Sequence, residues 1–369
     1  ERAVRDTVRR FVDTRFRPLV REHFAAGTFP RELGPELGDL GLLGTSVQGP
    51  GCPGLSPTVY GVICRELERG DSGLRSFCSV QGSLVMWPIS QYGSDEQKAH
   101  WLPKLAAGEA IGCFGLTEAD HGSDPGGMKT TAAPDGDGWI LHGSKLWITN
   151  ANCADVAVVW ARGPEGVMGF LVERGTPGFT TNTIHGKFSL RASDTGELVL
   201  DSVKVPDSAR LPAATGLKAP LSCLNEARYG ITWGAIGAAA DCYHTALEYA
   251  KTRVQFGKPI ASFQLVQQKL VTMLTEITKA QALCLQLGRL KDEGVHDVPL
   301  TSLAKRNNVA MALDCARTAR DVLGAAGVTD EFSPGRHMAN LESVITYEGT
   351  HDIHTLIVGA EITGLPAFR

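Results

Sequence analysis

No stretch of this 369-residue chain stays apolar for the roughly 20 residues a membrane-spanning helix needs, so the sequence predicts no membrane partner. Basic residues are in no excess. The 36 Lys and Arg face 40 Asp and Glu, leaving a net charge of −4 and no electrostatic footprint for nucleic acid. The nine cysteines stand singly, never in CxxC spacing, and their number is odd. That argues against a disulfide framework or a cysteine zinc site and for reduced thiols. The ten histidines include no HExxH, and His351 and His354, three apart, are too few to make a site, so no metal is expected. The glycine-bearing stretch "CFGLTEADHGSDPGG" fits neither GxGxxG nor GxxxxGK[ST], so it gives no support to nucleotide folds of those kinds. The opening "ERAVRDTVRRFVDTRFRPLV" is too charged for a secretory signal and reads as an amphipathic helix. Together these absences point to a cytosol-like compartment, either bacterial cytoplasm or mitochondrial matrix.

What is present divides into three zones, as the length leads one to expect. Residues 1–113 read as an α-helical domain of short helices broken by Gly and Pro, with Ser56 an N-cap and Pro57 the first helical position. Residues 114–211 read as a β domain. There "GWILHGSKLWITN" is expected to form two short strands around a turn at His142-Gly143-Ser144. Residues 212–369 read as a helical bundle. Val266, Leu270, Met273, Ile277, Ala280, Cys284 and Leu287 advance in steps of four and three, the spacing of left-handed helix packing. The small residues of "GAIGAAADCYHTALEYAKTR" would let a neighbouring helix approach closely.

Four places could carry chemistry. "CFGLTEADHGSDPGG" sets Thr117, Ser123 and Asp124 among glycines, so its open backbone N–H groups could cradle a polar cofactor, or simply turn into the β domain. In "LWITN", Trp147 and Thr149 are two apart and should share a strand face, offering a flat ring and a hydroxyl; taken alone, Trp147 is more often a core aromatic. Glu68 and Arg75 lie two helical turns apart and would share a face if the helix survived Gly70 and Gly73. They are either an exposed pair worth little or a planar guanidinium beside a cleft that receives a carboxylate. Arg228, then Arg253, Gln255, Phe256 and Gln264, crowd helix ends, where surface solvation and a subunit contact both remain open.

Read in order, "CFGLTEADHGSD", "GSKLWITN", "KTRVQFGKPI", "DVLGAAG" and "YEGTHDIH" resemble the acyl-CoA dehydrogenase family over essentially the whole chain. "SVQGSLVMWPISQYGSDEQK", "GKFSLRASDTG", "LNEARYGITWG" and "QLGRLKDEG" look most like its glutaryl-CoA dehydrogenase branch. The resemblance implies an N-terminal α-helical domain, a middle β-barrel or sandwich and a C-terminal four-helix bundle. It also implies FAD, a homotetramer built as a dimer of dimers, and electron transfer flavoprotein as acceptor. The implied reaction removes the α-hydrogen of an acyl-CoA as a proton and the β-hydrogen as a hydride. Carried over by motif, Glu348 is the base, with Glu68, Arg75, Ser79, Arg228 and Tyr347 around the substrate. Phe114, Leu116, Thr117, Gly122, Ser123, Trp147 and Thr149 should meet the FAD, and Thr350 and Asp352 should approach it from the other side of the base. Arg253, Gln255, Phe256, Gln264, Leu323, Gly324 and Gly327 should reach the FAD of a neighbouring subunit. Leu74 and Trp87 depart from the Tyr and His of the glutaryl branch, and "LGAAG" replaces the family's frequent "LGGNG". The alternative activity is a dehydrogenase or oxidase for another short acyl thioester, without decarboxylation. A non-catalytic helical scaffold is the contrasting class.

Overall fold

Gly and Pro punctuate the first helices. In the computed structural model, which describes residues 1–368, α1 (Arg2–Phe11) widens through a π turn into α2 (Arg17–Ala26), and Gly27 ends it in the left-handed conformation. α3 (Gly34–Asp39) follows, then α4 (Pro57–Gly70), which Ser56 caps by accepting the Val59 N–H. The helix does not survive the glycines. Asp71 is extended and caps a new helix, α5 (Ser72–Ser79), accepting the Gly73 N–H at 2.7 Å. The path widens again over Val80–Met86, then continues as α6 (Trp87–Tyr92) and α7 (Asp95–Ala106), the latter opened by a capping box between Ser94 and Gln97.

Seven strands form one curled sheet: β1 (Gly112–Gly115), β2 (Thr131–Asp135), β3 (Gly138–Thr149), β4 (Val156–Gly163), β5 (Gly166–Glu173), β6 (Phe179–Thr183) and β7 (Thr195–Pro206). Their order is β1-β4-β2-β3-β7-β6, with β5 on the other edge of β4. The period of two in β4 serves two cores. Val156, Val158 and Trp160 pack towards the N-terminal helices, while Ala157, Val159 and Ala161 pack inside the curl. Gln81 ties the helical layer to this sheet. Its amide donates to the Leu105 and Ala110 carbonyls and accepts the Gly112 N–H at 2.9 Å.

The expected pair of strands around His142-Gly143-Ser144 is instead one strand, β3, whose pairing with β7 shifts register at Leu141/Gly143 and again at Lys145/Ile148. Gly143, at φ 141°, absorbs the first shift. A Cβ there would lie 2.7 Å from Thr130 Cα, so the glycine serves a bulge and a close approach rather than a turn.

Beyond the sheet, α8 (Lys218–Thr252) is followed by a two-residue hairpin of β8 (Val254–Gln255) and β9 (Lys258–Pro259). Then come α9 (Gln264–Asp292), α10 (Val298–Val322), α11 (Ser333–Val344) and α12 (His351–Thr363). The predicted α9 stripe is buried from Leu270 through Leu287, with Val266 half-buried at its start. The small residues of α8 act as expected. A Cβ on Gly237 would sit 1.9 Å from the Arg65 carbonyl oxygen, and one on Gly234 would sit 2.0 Å from Glu68 Oε2. The α4–α8 crossing therefore depends on bare backbone, and it delivers the Glu68 carboxylate to the interior.

Candidate active site

Residues 345–350, between α11 and α12, form a tight loop. Glu348 has φ 51° and Gly349 φ 94°. Two successive left-handed residues turn the chain sharply, and at a glutamate that conformation costs on the order of 1–2 kcal/mol. Thr350 ends the loop by capping α12, its Oγ1 accepting the Ile353 N–H at 3.1 Å.

Three cations from three helices converge on this loop. Arg228 of α8 donates from Nε to the Glu348 carbonyl at 2.8 Å. Lys305 of α10, 1% exposed, donates from Nζ to the Tyr347 and Gly349 carbonyls. Arg75 of α5 donates from Nη2 to the Tyr347 hydroxyl and from Nε to Glu68 Oε2 at 2.7 Å. Ser72 completes that pair by donating to Glu68 Oε1 at 2.8 Å. The Glu68–Arg75 proximity expected from helical spacing is thus reached by another route, across the break at Asp71.

Glu348 Oε2 is sealed from solvent and has no hydrogen-bond partner among the described residues. Burial raises its carboxyl above the ordinary value, against the opposing pull of Arg75, Lys305 and Arg228. Burial likewise lowers Lys305 to about 7, although Glu348 opposes the shift. It raises Tyr347 to about 12. His354, one turn into α12, is buried with neither ring nitrogen hydrogen-bonded among the described residues, and is lowered to about 3, first by burial and then by Lys305 and Arg228. A carboxylate poised upward among fixed cations is suited to take a proton from a weak carbon acid.

The other expected positions fall into separate groups. Ser79 is buried near the start of the widened turn, its Oγ without a hydrogen-bond partner among the described residues. Phe114 and Leu116 give their side chains to the core rather than to an open surface, Phe114 meeting Trp160 edge-on at 6.1 Å. Thr117 is half-buried, and its carbonyl accepts the Leu146 N–H at 2.8 Å, joining its loop to the "LWITN" strand. Gly122 and Ser123 are exposed. Trp147, at φ 64° and 58% exposed, sits on the second bulge. Ile148 is buried and Thr149 half-buried, so Trp147 and Thr149 keep one open side despite the bulge.

Arg253, Gln255, Phe256 and Gln264 surround the α8–α9 hairpin, and no hydrogen bond or ion pair links them to the Glu348 loop among the described residues. Phe256 is 94% exposed. Leu323 is buried, Gly324 is open at φ 59°, and Gly327 is required by the fold, since a Cβ would lie 2.2 Å from the Arg320 carbonyl. Asp352 is exposed, and Leu74 lies wholly buried in the same cluster as Ile63, Leu67 and Phe77.

Lys305 and His354 did not emerge from the sequence as site residues. The available signal for Lys305 is a lone cation on the stripe it shares with Asn308, Val309 and Ala312, all buried. Lys145 is similar. Buried, it donates to the Leu116 carbonyl and to Glu118 Oε1, holding the Thr117 segment in place.

These residues fit a flat, polar cofactor: an exposed indole held in a strand, an open glycine-bearing loop and a sealed, unpartnered carboxylate oxygen. Models of the acyl-CoA dehydrogenase N-terminal, middle and C-terminal domains match residues 1–109, 113–203 and 214–363. The chain belongs to the acyl-CoA dehydrogenase family, with FAD as its cofactor. It is 59% identical to glutaryl-CoA dehydrogenase from Mycobacterium smegmatis, with a TM-score of 0.98 and coverage of 100% of this chain and 95% of that one. A glutaryl-CoA dehydrogenase of that organism in complex with FADH2 is 56% identical, with a TM-score of 0.99 and the same coverage. The short-chain specific acyl-CoA dehydrogenase of human mitochondria is 33% identical over 363 residues, 96% of this chain and 88% of that protein. No helix among the described residues is long and apolar enough to cross a membrane.

Proposed function

We propose that this acyl-CoA dehydrogenase oxidises and decarboxylates glutaryl-CoA to crotonyl-CoA and CO2. The observation that carries the proposal is charge balance around Glu348. Arg75, Arg228 and Lys305 outnumber the carboxylates of Glu68 and Glu348 by one when all are ionised. A substrate bearing a second carboxylate neutralises that excess, and Arg75, anchored by Glu68, is the guanidinium placed to receive it.

Glu348 takes the α-proton of the thioester. FAD, when bound, supplies the hydride acceptor for the β-hydrogen. Oxidation leaves the distal carboxyl positioned for loss as CO2, its electrons passing into the enoyl thioester. Protonated Glu348 then returns a proton to the resulting dienolate. Tyr347, Ser79 and Arg228 border the substrate. Thr117, Gly122, Ser123, Trp147, Thr149, Thr350 and Asp352 hold the cofactor with the backbone at Phe114 and Leu116. We assign the helical, β and bundle parts the boundaries 113/114 and 211/212.

Exposed Val254, Phe256, Leu265, Val271 and Leu274 support self-association, which the proposal takes as a tetramer. In it Arg253, Gln255, Phe256, Gln264 and the 323–327 turn reach a neighbouring subunit's FAD. Electron transfer flavoprotein is the proposed electron acceptor, by the same family resemblance.

The test is turnover of the purified yellow protein with a panel of acyl-CoAs, with CO2 measured for glutaryl-CoA. Reduction by butyryl-CoA with none by glutaryl-CoA would overturn the proposal. The second reading is a short-chain dehydrogenase without decarboxylation. It is favoured by the 33% identity to the human short-chain enzyme and by Leu74 and Trp87 in place of the glutaryl branch's Tyr and His.

A further inference from the structure

Lys305 is a buried cation with no carboxylate hydrogen-bonded to it among the described residues. Its ammonium spans Glu348, gripping the carbonyl before it and the carbonyl after it, while Arg228 holds the carbonyl of Glu348 itself. Three consecutive carbonyls thus point at fixed cations. In a trans peptide the N–H opposes the C=O. With the Tyr347 carbonyl on Lys305, the Glu348 N–H faces away from the ammonium, and no backbone carbonyl accepts it among the described residues. The same loop holds Glu348 at φ 51°, which the backbone would not adopt unaided.

We propose that Lys305 is a positioning residue of the reaction. By fixing the peptide planes on both sides of Glu348, it aims the carboxylate at the α-proton and the Glu348 N–H at the thioester oxygen. This rests on Glu348 being the base. The N–H is then a preorganised donor for the enolate-like oxygen, whose negative charge grows as the proton leaves. Lys305 touches neither reacting atom and works through the loop.

A second consequence concerns pH. The charged and titratable groups around Glu348 are Glu68 from α4, Arg75 from α5, Arg228 from α8, Lys305 from α10, His354 from α12, and the adjoining Tyr347. Lys305 is one of three cations drawing the Glu348 carboxyl downward against burial. Removing its charge moves the acid limb of activity, below which Glu348 is protonated, to higher pH.

The experiment uses the FAD-loaded enzyme and its Lys305→Met and Lys305→Gln variants, with glutaryl-CoA and butyryl-CoA as separate reductants. Rapid mixing gives the limiting rate of flavin bleaching, its half-saturation concentration and its pH profile. The expected result is a limiting rate lower by about a hundredfold, the cost of a small misplacement of reacting groups. Half-saturation should change by less than about threefold, as for an interaction felt mainly in the transition state, with the acid limb displaced upward. A limiting rate within about threefold of the parent, well short of that loss, overturns the proposal. So does a loss confined to half-saturation with an unmoved acid limb. If neither variant folds with FAD, Lys305 is a structural cation and the proposal also fails. Glu348→Gln, run alongside, separates the two ideas. Persistent bleaching there removes Glu348 as base. A dead Glu348→Gln beside a normal Lys305→Met removes only the role given to Lys305.

Discussion

At Glu348 two physical demands conflict, and the conflict is useful. Burial disfavours its charge, while Arg75, Lys305 and Arg228 favour it, leaving the carboxyl raised but still surrounded by cations. Glu348→Gln preserves shape and packing, so it should keep bound FAD and abolish bleaching by acyl-CoA; a visible spectrum with added substrate checks both. Arg75 belongs to the same scale. Arg75→Ala leaves Glu68 buried without its guanidinium and removes the proposed receptor for a distal carboxylate. Glutaryl-CoA turnover should fall by about a hundredfold or more, as when a buried charge loses its partner. Butyryl-CoA turnover should fall much less, and kcat/KM for the two thioesters measures the difference. The proposed base could be named from the sequence through "YEGTHDIH", because a motif names a residue without needing its neighbours. Lys305 could not, because its partners are backbone carbonyls 42 and 44 residues away that carry no sequence signature.

Elements show where local preference and packing part company. Gly237 lies inside α8, where alanine would ordinarily stabilise a helix by up to about 1 kcal/mol. Its added Cβ would meet the Arg65 carbonyl at 1.9 Å, and such overpacking costs about 1–3 kcal/mol. Packing wins. Gly237→Ala should lower the melting temperature of the FAD-loaded protein, measured by calorimetry, despite the better helix propensity. The α9 stripe was legible because a period near 3.5 is a local property of the chain. The 138–149 segment was misread for the converse reason. "HGS" has turn composition, but whether Gly143 makes a turn or a bulge depends on β7 lying alongside. Asp71 similarly divides α4 from α5 while leaving Glu68 and Arg75 in contact, which spacing along one helix could not anticipate.

At the scale of the whole molecule, a few buried polar groups lock the three parts together. Asn340 of α11 donates to Asp71 at 2.8 Å and accepts the Leu190 N–H at 2.8 Å, touching the helical and β parts at once. Asp241 of α8 accepts from Ser333 at 2.6 Å, pairs with His337 at 3.2 Å and meets Arg17 of α2. Burial alone would raise its carboxyl, but these partners outweigh burial and hold it well below the usual range. A depressed carboxyl contributes stability above its unfolded value near 4, and that stability is lost as pH falls towards the native value. Asp241→Asn should therefore destabilise the protein at pH 7 by about 3–5 kcal/mol, the cost of breaking a buried pair. The gap to the parent should narrow as pH drops below about 4, and urea unfolding at several pH values checks this.

By itself the sequence determined the α–β–α succession, the buried stripe of α9, the small-residue face of α8 and the family, because each is written in local period or contiguous motif. Tertiary structure alone decided that β3 runs unbroken through Gly143, that Phe114 and Leu116 serve the core, and that Lys305, Arg228 and Arg75 converge on one loop. The reason is that burial and electrostatic environment belong to groups brought together from distant parts of the chain. Burial there holds Glu348 above its ordinary carboxyl range, against the pull of those three cations, in a turn of positive φ.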